Sequence, residues 1–171
     1  MALSYVHSTC KASGVDRYHW LLFLHVTGAF LLLGGAVMAA VFNVAALRRE
    51  RPSEVALLLG LTRWAVIAIS AGLLVTIAFG LWLIHDVGYG WGDAWIIASL
   101  VLWGLAGFLG SRGGRLQRET RSLAERLARE GDAPSSELRA RLHNPVALAL
   151  SWSSGLATLA ILALMIWKPG A

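Results

Sequence analysis

The chain has 171 residues, 57% of them apolar and only 15% charged, with a mean hydropathy of +0.62. Water-soluble domains average about 45–50% apolar and about 25% charged residues, so disorder, a collagen-like chain and an ordinary soluble enzyme are excluded. A formal charge of +5 would suggest nucleic acid in a soluble chain, but here the basic residues flank apolar blocks. That pattern is topological and implies no nucleic-acid partner. The single Cys10 cannot form an internal disulfide, and no Cys-x-x-Cys pair exists for metal or covalent haem.

Four blocks carry the hydrophobicity: 20–42, 64–84, 94–110 and 145–167, none with an Asp, Glu, Lys or Arg. Crossing a hydrocarbon core of ~30 Å takes about 20 helical residues, and about 17 is the lower limit. The third block is the shortest and is expected to continue as helix beyond its apolar part. No block alternates apolar and polar residues with period two, so helices are predicted and a β-barrel is not. The first block is a retained anchor: it is long for a signal-peptide core, and the stronger basic cluster follows it.

Orientation follows from Lys and Arg. The first connection holds Arg48, Arg49 and Arg51, with Arg63 at its far end, and the third connection holds eight arginines between Arg112 and Arg141. The second connection has none, the tail before the first span has Lys11 and Arg17, and the C-terminus has Lys168. Twelve against three places connections one and three in the cytoplasm and both termini outside. Trp20, Trp82, Trp91, Trp95 and Trp167 then form an outer aromatic belt, with Trp64 at the inner interface.

Helix ends are marked. Pro52-Ser53-Glu54 opens the second helix with an acid in its first turn, and Asn144-Pro145 opens the last one. Gly88, Gly90 and Gly92 permit a tight turn between spans two and three. Residues 111–130 continue span three, with Leu116, Leu123 and Leu127 on one stripe and Gly113-Gly114 as a point of kink or interruption. The segment 131–136 then turns the chain back, so residues 111–144 form a basic cytoplasmic helical hairpin. It lies against anionic headgroups or serves as a docking surface.

Span one places His25, Gly28, Leu32, Ala36, Ala39 and Asn43 close to one line at 100° per residue. Small residues with a polar group at each end describe a face turned into a bundle. Span four offers Ser151, Ser154, Gly155 and Thr158, and span three offers Gly104, Gly107 and Ser111, as the matching surfaces. Ser and Thr can bond their own helix backbone, so they need no ligand. The fold class is therefore all-α: an antiparallel four-helix transmembrane bundle forming one membrane domain over 1–171.

His25 lies five residues past Trp20, roughly 8 Å below the interface by helix rise. An imidazole there needs a partner, because an unpaired polar group in hydrocarbon costs several kcal/mol. Three roles fit: an interhelical hydrogen bond, for instance to a Ser or Thr of span four; an axial ligand to haem b; or a proton relay. His19, His85 and Asp86, with Asp93, sit at comparable outer depth and would suit an outer-face Cu or Zn carrier, or simply a wet loop. His7 and Cys10 add soft ligands at a spacing that matches no motif, and His143 lies on the opposite side. His19 and His85 match in depth but would hold haem among the headgroups, and His25 is about 9 Å deeper than His85. No Ser-His-Asp set, P-loop or dinucleotide fingerprint is present.

Three stretches together resemble a bacterial family of four-helix integral membrane proteins of unknown function. They are the span-one run with L-H-V-x-G-A and G-G-A, the turn G-W-G-D-A-W and the terminal M-I-W-K-P-G. More distantly, His25 ahead of a Gly-Ala-rich stretch is similar to copper-resistance-D-type proteins and the membrane protoporphyrinogen oxidases, a resemblance that implies haem or copper chemistry at His25. The residues themselves favour a multi-span membrane protein without catalytic groups, and the resemblance implies the bacterial inner membrane. It would serve as an accessory or structural subunit, in contact with lipid and with other subunits.

Overall fold

A computed structural model describes residues 2–169, with side chains from Arg17 onward. His7 and Cys10 therefore lie outside the described side chains. Every regular element among these residues is helical: α1 (Ala2–Leu47), α2 (Pro52–Val87), α3 (Ala94–Arg129), α4 (Ser136–Leu142) and α5 (Pro145–Trp167). Four long apolar stretches can cross a membrane: Arg17–Leu47, Pro52–Val87, Ala94–Arg129 and Ser136–Trp167, the last including α4 and the whole of α5. This is the all-α architecture, with four long apolar helices as a transmembrane bundle requires.

The helices outrun their apolar blocks. At 1.5 Å per residue, α2 and α3 are each about 54 Å long against a core of ~30 Å, so each carries several turns beyond the hydrocarbon. Pro52 stands at the first position of α2, and Glu54 supplies the acid of its first turn. The Asn144 side chain accepts from the Val146 amide at 2.9 Å and starts α5, while Lys168, at φ 39°, ends it. Gly88, at φ +80°, takes the left-handed conformation after α2 that a side chain would resist. Of the kink or interruption expected at Gly113 and Gly114, the interruption is absent: α3 runs through both as one helix. The hydrocarbon side of that pair already rests on α5, as described below, and packing outweighs the roughly 1 kcal/mol helix cost of each glycine.

Contacts divide the chain into two compact units, residues 1–35 with 66–90 and residues 36–65 with 91–171. In the first, the α1 and α2 backbones approach closely through buried Gly28 and Gly72. A Cβ on Gly28 would stand 2.7 Å from both the amide nitrogen and Oγ1 of Thr76. One on Gly72 would stand 2.6 Å from the Gly28 carbonyl oxygen and collide with the Leu32 backbone. Glycine is needed here for proximity, the device by which helices associate where lipid and side chains are equally apolar.

The second unit holds a core of Ala46, Val55, Leu59, Leu123, Ala124 and Leu138, drawn from four helices, with Leu58, Leu127 and Leu142 packed against it. The apolar stripe on the α3 extension is thus covered by protein. Along their apolar lengths α3 and α5 pack together through Gly110 and Gly113, whose added Cβ atoms would lie 3.4 Å from Ser154 Oγ and 3.7 Å from Leu150 Cβ. The small residues expected to form the α3 packing face, Gly104 and Gly107, have nothing within 4 Å of an added Cβ, and Ser111 is exposed. The α3 face that meets α5, at Ala106, Gly110 and Gly113, is turned around the helix from the one the sequence suggested. Gly155 is likewise open, and Ser154 and Ala157 supply the α5 side.

Candidate functional site

The chemistry-bearing groups of the spans fall into two places. In the first unit, His25 Nδ1 is 2.8 Å from the carbonyl oxygen of Thr76, one helix away. Only a protonated nitrogen can bond a carbonyl, so Nδ1 carries the hydrogen and donates. The ring lies over Gly80, where an added Cβ would be 3.0 Å from both Cε1 and Nδ1. Gly80 therefore makes room for the imidazole, and Gly28 makes room for Thr76. The acceptor is a backbone carbonyl of α2, where the sequence suggested a hydroxyl of span four. The Thr76 hydroxyl itself is buried without a hydrogen-bond partner among the described residues, as is that of Ser99.

Two turns further out, the Arg17 guanidinium meets the Asp86 carboxylate at 2.6 Å, with the Asp86 side chain only 13% exposed. Asp86 is thereby engaged by a cation. His19 is exposed and meets the edge of Tyr18, with ring centroids 5.6 Å apart, and His85 is exposed. Among the described residues no three His, Cys, Asp or Glu side chains gather as a metal ion would require. His19, His85 and Asp86 are thus not brought into one metal-binding group.

In the second unit, the Asn43 amide donates to the Ala39 carbonyl at 2.8 Å and its Oδ1 accepts from Gln117 Nε2 at 3.0 Å. The same Gln117 nitrogen donates to Thr62 Oγ1 at 3.0 Å, and that hydroxyl donates to the Leu59 carbonyl. One glutamine thus ties α1, α2 and α3 together. The sequence reading passed over it; its only signal was an uncharged polar residue between Leu116 and Thr120 on a half-apolar helix. On α5, Ser151 donates to Ala147 and Thr158 to Ser154, both within the helix at 3.0 Å. Only Ser154 reaches across, to the Ala106 carbonyl of α3 at 3.3 Å. His143 bonds the Arg139 carbonyl four residues earlier and is exposed.

A second long-range tie closes the arginine-rich end. The Asp132 carboxylate accepts both the Ser53 amide and the Ser53 hydroxyl at 2.7 Å, although the two residues are 79 apart in sequence. Asp132 adopts φ 56° to do so, beside Gly131 at φ +128°. Those two bonds, aided by the nearby Arg51 charge, hold its carboxyl below the ordinary value of 3.8.

The predicted integral membrane protein family DUF2269 matches residues 19–169, nearly the whole chain. The chain belongs to that family. The family's description goes no further than membrane integration, which the four long apolar helices of this DUF2269 protein satisfy. Comparison with curated proteins and with solved structures gave no match.

Proposed function

We propose that this is a four-span protein of the bacterial inner membrane, with both termini outside, acting as a non-catalytic accessory or structural subunit of a larger membrane complex. The observation that carries the reading is the bonding of His25, the most reactive group in the spans, to an α2 carbonyl with its ring against Gly80. The other polar groups discussed above follow suit: Asn43, Gln117 and Ser154 tie helices together, while Ser151 and Thr158 bond their own backbone. Twelve of fifteen Lys and Arg on alternate connections support the orientation. Isolation from native membranes in mild detergent tests the role. A second protein retained in fixed stoichiometry is expected, and a lone monomer under the gentlest conditions overturns it.

The same bond favours one second reading. With the hydrogen fixed on Nδ1, the Nε2 lone pair is the ligating one, and a carbonyl on the far nitrogen is the usual support for a histidine that binds metal. His25 would then be one axial ligand of a haem b, which would supply one-electron chemistry. Reduced and oxidised absorption spectra separate the readings. A featureless visible spectrum after expression with haem supplied favours the subunit role, and a Soret band abolished by His25→Ala favours haem.

A further inference from the structure

At the arginine-rich end of α1 one face of the chain presents Ala40, Val41, Val44, Ala45, Arg48 and Arg49 beside an open space of about 630 Å³. This face is chemically divided. Four small or branched apolar residues occupy the helix over Ala40–Ala45, and two guanidinium groups stand at one end. The helix ends there, with the amides of Arg48 and Arg49 closing on the carbonyls of Ala45 and Ala46 at 3.1 and 3.2 Å. The backbone of both residues is therefore held at the rim of the apolar stretch. From Ala40 to Leu47 the helix rises about 10 Å, two-thirds of the depth of one leaflet of the hydrocarbon core.

We propose that this face holds one anionic glycerophospholipid, an acyl chain lying along Ala40, Val41, Val44 and Ala45 and the phosphate on Arg48 and Arg49. Charge complementarity selects this occupant. Arg49 shares its charge with Glu54 at 3.5 Å, whereas Arg48 is exposed and makes no ion pair among the described residues. The acids within reach in sequence are Glu50 and Glu54, against Arg48, Arg49 and Arg51, so the rim keeps a net positive charge. A zwitterionic lipid would bring its own cation to that rim, and a soluble anion would gain nothing from the apolar wall. A basic pocket beside a membrane span at the headgroup level is the setting in which anionic headgroups are recognised.

Native mass spectrometry of the full chain in detergent, titrated with phosphatidylglycerol or phosphatidylcholine, provides the test. A single phosphatidylglycerol adduct is expected, retained at least fivefold over phosphatidylcholine and undisturbed by millimolar inorganic phosphate. Arg48→Gln with Arg49→Gln abolishes the preference, while Arg126→Gln with Arg129→Gln, on the α3 extension, keeps it. Val44→Trp, which sets a bulky ring on the apolar face and leaves both arginines in place, also removes the adduct. Equal retention of the two lipids, displacement by phosphate, or an adduct that survives either Val44→Trp or the Arg48/Arg49 change overturns the proposal.

Discussion

The contact between His25 and α2 combines a donor, an acceptor and a vacancy: the Nδ1 hydrogen, the Thr76 carbonyl and the absent side chain of Gly80. Interhelical hydrogen bonds in membranes average about 0.6 kcal/mol and reach about 1.7. His25→Ala is therefore expected to lower stability by about 1 kcal/mol, read from denaturant unfolding in micelles. The neighbouring pair behaves asymmetrically. Gly28→Ala forces a methyl against the Thr76 backbone and is expected to cost about 1–3 kcal/mol, as overpacking does. Thr76→Val replaces a buried hydroxyl that has no partner, so the same assay is expected to show no loss or a small gain. The helix-face arithmetic found His25 and Gly28 together because both lie on one stripe of α1. It could not find the acceptor, since a backbone carbonyl has no sequence signature.

α2 starts and α3 ends at a shared junction, where the Asp132 carboxylate takes the place of a local cap for the α2 N-terminus. Its folded pKa is depressed, so the tie contributes stability above the unfolded value of 3.8 and loses it as pH falls through the lower folded value. Asp132→Asn is expected to speed amide exchange at Ser53 near neutral pH and to differ little from the parent once the acid is protonated. Gln117 joins the same helices deeper in. Truncating Asn43 and Gln117 singly and together to Ala should give a coupling energy of about 0.5–1 kcal/mol, and strict additivity would show that the bond contributes nothing. The Leu116–Leu123–Leu127 stripe was readable because the α3 extension leaves the hydrocarbon and recovers an amphipathic period. Inside the spans that contrast vanishes. Gly104 and Gly107 looked as fit for packing as Gly110 and Gly113, because a small residue facing lipid and one facing a helix are equally apolar. The Ser53–Asp132 tie, 79 residues apart, is of the same kind: neither residue marks the other.

For the molecule as a whole, the apolar length of each block fixed the number of spans, since a chain without water must satisfy its own backbone and only helices of that length do so. Side counts of Lys and Arg carry the proposed orientation, and the proposed lipid site requires the arginine-rich end to face the cytoplasmic leaflet. Labelling with a membrane-impermeant maleimide tests it directly. Cys10 is the only cysteine, so a Cys10→Ser background can carry one new thiol at a time in the exposed turns, Gly92→Cys or Ala133→Cys. The expected result is that Gly92→Cys reacts in intact spheroplasts and Ala133→Cys reacts only after lysis. Reaction of Ala133→Cys from outside, or of both positions from the same side, would contradict it.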